Sequence, residues 1–280
     1  MEAYQPNEYR TELKPIFCTG CGDYGVMSAM RQAFSILKLE PERIALISGI
    51  GCSSRMPDFF RAYGFHTVHG RPLPAAMGVK VANPELTVVV TAGDGDAYAI
   101  GGGHFIHAAR RNPKITYIVM DNEIYGLTKG QFSPTSPEHL KTGSSPYGVV
   151  EEPLNPLAMA ISYGASFVAR GYAGKIKPLT DLLIKAIEHP GFAFIDVLSP
   201  CVTFFDTYKI FSSKITDIPA SHNVEDKLAA FQLAQEPEKI HLGIYYQVKK
   251  PTLEQKINII RQQAQKDGKG DMQKLLSKFR

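Results

Sequence analysis

The junction between a run of β-formers, Thr87-Val88-Val89-Val90-Thr91, and the turn Ala92-Gly93-Asp94-Gly95-Asp96 constrains this chain more than any other feature. A mostly apolar segment, Ala97 to Ala109, follows and ends at Arg110-Arg111-Asn112-Pro113. A second β run, Ile115 to Met120, then leads into Asp121-Asn122-Glu123-Ile124-Tyr125-Gly126. The order strand, Gly-rich turn, helix, strand, polar turn predicts a βαβ unit. It also predicts an α/β fold with a mostly parallel sheet flanked by helices. The polar site then falls at the carboxyl ends of two neighbouring strands.

The two turns belong to one chemistry. Adjacent parallel strands lie roughly 5 Å apart, so Asp94 and Asn122 end up side by side. A carboxylate, an amide oxygen and a backbone carbonyl suit a hard cation such as Mg2+, which keeps other positions for water or phosphate oxygens. Gly93 and Gly95 let backbone approach a phosphate, and the following helix start offers free N–H groups. An ordinary turn after a strand is the bland alternative, and the second turn at this distance argues against it. The pair resembles the thiamine-diphosphate motif. That resemblance implies that Asp94, Asn122 and the carbonyl of Ile124 hold the metal.

Composition sets the bounds. The chain has 280 residues, 44% hydrophobic and 21% charged, enough for one large α/β domain and an appendage. A net charge of +4 does not by itself indicate a nucleic-acid partner. No run of about 18 apolar residues suggests a membrane span. Met1-Glu2-Ala3-Tyr4 lacks the character of a signal peptide, so a cytoplasmic location is expected.

Taken in order, residues 1–15 read as a polar extended arm. Phe17-Cys18-Thr19-Gly20-Cys21-Gly22 carries two thiols at a spacing that suits zinc, a redox dithiol or an iron–sulfur ligand pair. A helix is expected over Tyr24–Leu37 from the spacing of Val26, Met27, Met30, Phe34 and Leu37. Ile44 to Ile47 reads as a buried strand running into Ser48-Gly49-Ile50-Gly51-Cys52-Ser53-Ser54-Arg55. Phe65 to Val68 reads as a short strand before His69-Gly70-Arg71, and Pro74 to Ala82 as a small-residue helix. His69 is either a cofactor contact or a strand end. Arg55 and Arg71 are anion-binding candidates or ordinary surface cations. Lys129, just past the second turn, could reach a substrate carboxylate or remain solvated. Residues 132–154 form a long Ser/Thr/Pro-rich loop of the kind that carries function. Helices over Asn155–Tyr163 and Leu179–Glu188 alternate with strands over Ser166–Arg170 and Phe192–Leu198. The last strand ends at Ser199-Pro200-Cys201. Cys18, Cys21, Cys52 and Cys201 all stand in loops that could converge. Four thiolates suit Zn2+ or a [4Fe–4S] cluster, and four merely buried cysteines are the plain alternative.

Cys18-Thr19-Gly20-Cys21-Gly22, Gly49-Ile50-Gly51-Cys52-Ser53, His69-Gly70-Arg71, Gly93-Asp94-Gly95-Asp96, Asp121 to Gln131 and Ser199-Pro200-Cys201 together resemble the β subunit of 2-oxoacid:ferredoxin oxidoreductases. The resemblance runs through roughly residues 15–215. Many relatives have Pro where Thr19 stands, which affects loop stiffness and not ligation. The resemblance implies thiamine diphosphate, Mg2+ and one [4Fe–4S] cluster on the four cysteines. Ile50 to Ser53, His69, Gly93 to Asp96 and Tyr125 to Leu127 are then cofactor contacts, with Ile124 and Asn122 at the metal. Arg55 and Lys129 are expected at the substrate's carboxylates, and His69 is a further catalytic candidate. The implied reaction removes CO2 from a 2-oxoacid, passes electrons singly through the cluster to ferredoxin and gives the acyl group to coenzyme A, with reversal conceivable.

Thiamine enzymes need a second domain to hold the aminopyrimidine and supply an activating glutamate. The resemblance therefore implies an α subunit, often fused to a γ domain, in an (αβ)2 assembly. Residues 1–215 would form the cofactor and cluster domain, and 216–280 a C-terminal helical extension against the partner. Leu253 to Arg280 reads as a basic amphipathic helix, either docked or solvated. Two cations favour 2-oxoglutarate; pyruvate, branched-chain 2-oxoacids and broad specificity stay open. The rival readings are a non-oxidative thiamine decarboxylase or synthase component, and a non-catalytic electron-transfer or scaffold subunit.

Overall fold

In the computed structural model, residues 4–266 and 270–279 are described. Among them ten strands run in chain order as β1 (Ile44–Ser48), β2 (Tyr63–His66), β3 (Thr87–Gly93), β4 (Ile115–Asp121), β5 (Ile124–Tyr125), β6 (Gln131–Phe132), β7 (Phe167–Tyr172), β8 (Ala193–Leu198), β9 (Ile215–Asp217) and β10 (Ile240–Gln247). Eight of them form one sheet in the order β2-β1-β3-β4-β8-β7-β10-β9, and β5 pairs with β6 in a separate hairpin. All pairings from β2 across to β7 are parallel; β10 runs antiparallel to β7. The central strands β1, β4 and β8 are buried along their whole length. That is why they read as unbroken apolar runs and not as alternating ones.

Helices cover both faces. One face packs against α1 (Asp23–Ile36) and α5 (Ile176–Glu188), with Val26, Met30, Phe34, Leu179 and Leu183 meeting Leu46, Val89 and Ile195. The other face packs against α2 (Pro72–Ala82), α3 (Gly102–Arg111), α4 (Pro156–Tyr163) and α7 (Lys227–Ala234). There Phe105 sits among Tyr117, Phe192 and Phe194. Asn155 caps α4 by accepting the Ala158 N–H at 3.0 Å, a local reason for the helix to start there. A small α6 (Tyr208–Lys214) closes the far end over Tyr172, Leu198 and Leu242 through Phe211. The chain ends in α8 (Leu253–Lys266) and α9 (Met272–Ser277), which bury none of their residues.

Three details differ from the sequence reading. The segment expected as one helix over Ala97–Ala109 is a π-helical stretch, Gly95–Ile100, followed by α3. The strand expected at Phe65–Val68 lies two residues earlier, as the exposed edge strand β2. The one helix expected over Leu253–Arg280 is two, α8 and α9, among the described residues, with 267–269 and 280 outside them, and the region from Ile215 on also supplies β9 and β10, which complete the sheet. Among the described residues, no helix is long and apolar enough to cross a membrane.

Candidate active site

From β1 the chain moves outward to β2 and then returns to β3 on the other side of β1. Ligands of open α/β sheets sit at such a switch point, outside the carboxyl ends of the strands. A cavity of about 440 Å3 opens there. Every residue expected to touch the cofactor lines it: Ile50 to Ser53 after β1, His69 after β2, Gly93 to Asp96 after β3, and Asn122 with Tyr125 to Leu127 after β4. Ile124 lines it too, as do Thr128 and Gln131, which the sequence reading did not single out.

The turn after β3 is shaped by close packing. A side chain on Gly95 would overlap the Tyr125 ring, whose hydroxyl donates to the Gly95 carbonyl at 3.0 Å. Asp96, next in line, joins three loops. Its Oδ1 accepts the Ile50 N–H at 2.9 Å, the Gly70 N–H at 2.7 Å and His69 Nδ1 at 2.6 Å. The π-helical turn starting at Gly95 carries Asp96 to this position; such turns recur at functional sites. With Nδ1 held by Asp96, the remaining nitrogen of His69 is free to serve the cavity that this residue lines.

The turns after β3 and β4 gather acids. Asp94 is 2% exposed, and burial pushes its carboxyl up to about 6. Burial likewise raises Glu123 to about 7 and Asp121 well above the carboxylate range, with Asp94 as a repelling neighbour of both. Asp196, buried in β8, adds a fourth acid. Arg170 answers it, with Nε donating to Asp196 Oδ2 at 2.9 Å. One guanidinium among these four acids, three of them buried, leaves charge that such a site does not tolerate without a counter-ion or protons. Glu123 takes a left-handed backbone (φ 59°) between Asn122 and Ile124, an uncommon conformation for a non-glycine residue and one found at functional turns. The donor set, carboxylate, amide oxygen and carbonyl, fits a hard divalent ion.

The cysteines also draw together. Cys18 is exposed, Cys21 and Cys52 are half-buried, Cys201 is buried, and all four are free thiols. Sγ of Cys52 and of Cys201 lie 3.7 and 3.8 Å from where a Cβ on Gly126 would stand. Burial raises the Cys21 thiol, with Asp23, Cys201 and Cys52 as further repelling neighbours. Burial also raises Cys52 to about 11, with Asp23, Cys201 and Cys18 around it. The four thiols thus share one electrostatic neighbourhood. Yet among the described residues no three His, Cys, Asp or Glu side chains gather around a single metal position. Four thiols in one neighbourhood are the ligand number of either a structural zinc or a cubane cluster.

Three cation candidates, Arg55, Arg71 and Lys129, stand outside the cavity. Arg55 donates from Nε to Asp58 Oδ2 at 2.6 Å and does not line the pocket. Lys129 is exposed, with φ 76°, beyond the lining residue Thr128. The spacing of strand and loop carries no information on where such side chains point.

Comparison with known proteins agrees with this geometry. The family model for the thiamine pyrophosphate enzyme C-terminal TPP binding domain matches residues 49–197. The model for the C-terminal part of the pyruvate ferredoxin oxidoreductase beta subunit matches residues 201–262. The 2-oxoacid:ferredoxin oxidoreductase subunit beta of Saccharolobus solfataricus is 44% identical over 82% of this chain and 81% of its own length. The 2-oxoglutarate synthase subunit KorB of Methanocaldococcus jannaschii is 46% identical over 71% of this chain and 73% of its own. The structure of the 2-oxoglutarate:ferredoxin oxidoreductase from Magnetococcus marinus, with 2-oxoglutarate, coenzyme A and succinyl-CoA bound, superposes with a TM-score of 0.95. It is 43% identical and covers 99% of this chain and 96% of that one. The switch-point cavity with its buried acids, the four neighbouring thiols and these relatives lead to one conclusion: this chain belongs to the beta subunits of the 2-oxoacid:ferredoxin oxidoreductases.

Proposed function

We propose that the chain is the β subunit of a coenzyme A-dependent 2-oxoglutarate:ferredoxin oxidoreductase, holding thiamine diphosphate, Mg2+ and one [4Fe–4S] cluster. The observation that carries the proposal is the position of Gly126. It lines the switch-point cavity, as Cys52 does, and a Cβ placed on it would stand 3.7 and 3.8 Å from the Cys52 and Cys201 sulfurs. The diphosphate-type site and the thiols would therefore adjoin at one short hairpin, as an electron-transferring decarboxylase requires. Bound thiamine diphosphate would supply the electron sink for decarboxylation. Asp94, Asn122 and the Ile124 carbonyl would hold Mg2+. The Gly93–Gly95 turn admits a diphosphate, and Tyr125 covers that turn. Cys18, Cys21, Cys52 and Cys201 would ligate the cluster. Asp96 holds His69 at the cavity wall, where its ring can exchange a proton with substrate. Arg55 and Lys129 remain our candidates for the substrate's carboxylates. The catalytically competent unit would be an assembly with an α or fused γα subunit, the whole acting on ferredoxin and open to reversal.

The substrate follows from likeness to the KorB chain and to the structure with 2-oxoglutarate bound. Relatives named only for 2-oxoacids keep pyruvate and branched-chain acids in play as a second reading. A panel decides it: the co-expressed assembly, given coenzyme A and ferredoxin, is assayed with 2-oxoglutarate, pyruvate and 2-oxoisovalerate. We expect kcat/KM for 2-oxoglutarate to exceed the others by at least about tenfold, or about 1.4 kcal/mol of discrimination. Equal values would replace the specific reading with a broad one. Activity on pyruvate alone would overturn it.

A further inference from the structure

The loop that follows β6 begins Phe132-Ser133-Pro134-Thr135-Ser136-Pro137. A Ser/Thr/Pro run of this kind is ordinarily solvated, yet Ser133, Thr135 and Ser136 are all buried. They lie beneath the acid cluster. Thr135 Oγ1 is 3.0 Å from Asp94 Oδ2 and 2.8 Å from Asp121 Oδ1. Ser136 Oγ donates to the Glu123 carbonyl at 2.5 Å and accepts the Ser133 N–H at 2.8 Å. The loop is pinned from its far end as well, where the Leu154 N–H donates to the Pro134 carbonyl at 2.8 Å. Pro134 and Pro137 stiffen the backbone on either side.

We propose that Thr135 is a positioning residue for the cation site, its hydroxyl setting the orientation of the Asp94 carboxylate from a loop that itself never reaches the cavity. The proposal rests on the reading of Asp94 as a Mg2+ ligand. The hydroxyl has one proton and lies within reach of two carboxylates, so it can donate to only one at a time; donated to Asp94, it fixes the plane of that carboxylate. Asp121 in turn accepts the Glu123 N–H at 3.0 Å, and Ser136 holds the Glu123 carbonyl. Thr135 and Ser136 thereby clamp both turns of the site, the one after β3 and the one after β4. Outer partners of this kind orient metal ligands, and their loss typically weakens metal binding about 10–100-fold.

The test uses the full assembly, purified without air and stripped of thiamine diphosphate and Mg2+. Calorimetry measures Mg2+ affinity at fixed thiamine diphosphate for wild type, Thr135→Val and Thr135→Ser, and thermal melting is recorded with neither ligand. We expect Thr135→Val to weaken Mg2+ binding by about 10–100-fold, and Thr135→Ser, which keeps the hydroxyl, to stay near wild type. The ligand-free melting temperatures should not follow that order. If Thr135→Val fails to assemble, Thr135→Ala is read in the same way. Mg2+ affinity within twofold of wild type in the Val or Ala variant would overturn the proposal. So would a Ser variant as weak as the Val variant, because the methyl and not the hydroxyl would then be at fault. A wild-type assembly whose thiamine diphosphate binding ignores Mg2+ would instead remove the parent assignment of Asp94, and this one with it.

Discussion

Asp94 sets stability against function. Its carboxylate is buried beside Asp121 and Glu123, and burial holds its pKa at about 6. An ion kept in that place without its counter-charge costs stability, so the cofactor-free protein should prefer an amide there. Asp94→Asn is expected to raise the melting temperature of the cofactor-free assembly by a few degrees, about 1 kcal/mol at this chain length. The same change should weaken Mg2+-dependent thiamine diphosphate binding by at least about 100-fold. Differential scanning calorimetry and binding titration check the two halves. A variant that melts lower and still binds would deny Asp94 this role. Asp94 and Asn122 were legible in the sequence because each directly follows an apolar strand. Thr135 was not, because nothing in a Ser/Pro-rich stretch signals that tertiary packing will bury it beneath two carboxylates.

Elements whose burial is complete were readable, and elements defined by distant pairing were not. β1, β3, β4 and β8 announce themselves as apolar runs. β2 was displaced by two residues because Tyr63 and Phe65 on this edge strand are exposed and no buried face fixes the register. β10 is not legible because its burial runs in pairs and not in alternation, and its partner β7 lies far back in the chain. The break at Gly101 between the π-helical turn and α3 lies within a segment whose composition reads as one helix. At the other end of the sheet, a buried polar knot joins these elements. Ser166 Oγ donates to Asn112 Oδ1 at 2.6 Å, so the 2.8 Å contact with His189 is donated by the His189 Nε2–H. Asn112 Oδ1 also accepts the Phe192 N–H at 2.8 Å. Nδ1 of His189 is buried with no partner among the described residues. Burial, with Lys114 nearby, lowers its pKa to about 4. The unfolded chain then takes up a proton near pH 6.5 that the folded one refuses, so stability falls as pH drops from about 6.5 towards 4. The slope from this group is at most about 1.4 kcal/mol per pH unit. His189→Asn should flatten the melting temperature over that window, measured by circular dichroism; an unchanged slope would place the pH response elsewhere.

On the scale of the whole molecule, the sheet is complete and the surface is not. The N-terminal turn of α8 is anchored: the Leu253 N–H donates to the Asn112 carbonyl, and Glu254 Oε1 accepts the Lys114 N–H at 2.9 Å. Beyond it Ile259 and Ile260 are 66% and 68% exposed, followed by exposed Met272, Leu275 and Leu276. Apolar residues left open in this way fit a chain that works in an assembly. Removing residues 259–280 is expected to leave the melting temperature of the isolated chain within about 2 °C, since surface changes are commonly within about 0.5 kcal/mol. Recovery of the assembly on gel filtration should fall. Undiminished assembly would show that this tail does not contact the partner. One thiamine site and one cubane cluster at the carboxyl ends of the same strands would show in iron analysis and electron paramagnetic resonance. The sample is the anaerobically purified assembly, before and after addition of 2-oxoglutarate. The account predicts about four irons per chain for one cubane, with a radical or reduced-cluster signal appearing on addition of substrate. Iron-free protein, never exposed to air and still holding thiamine diphosphate, would contradict it and favour a non-oxidative thiamine enzyme.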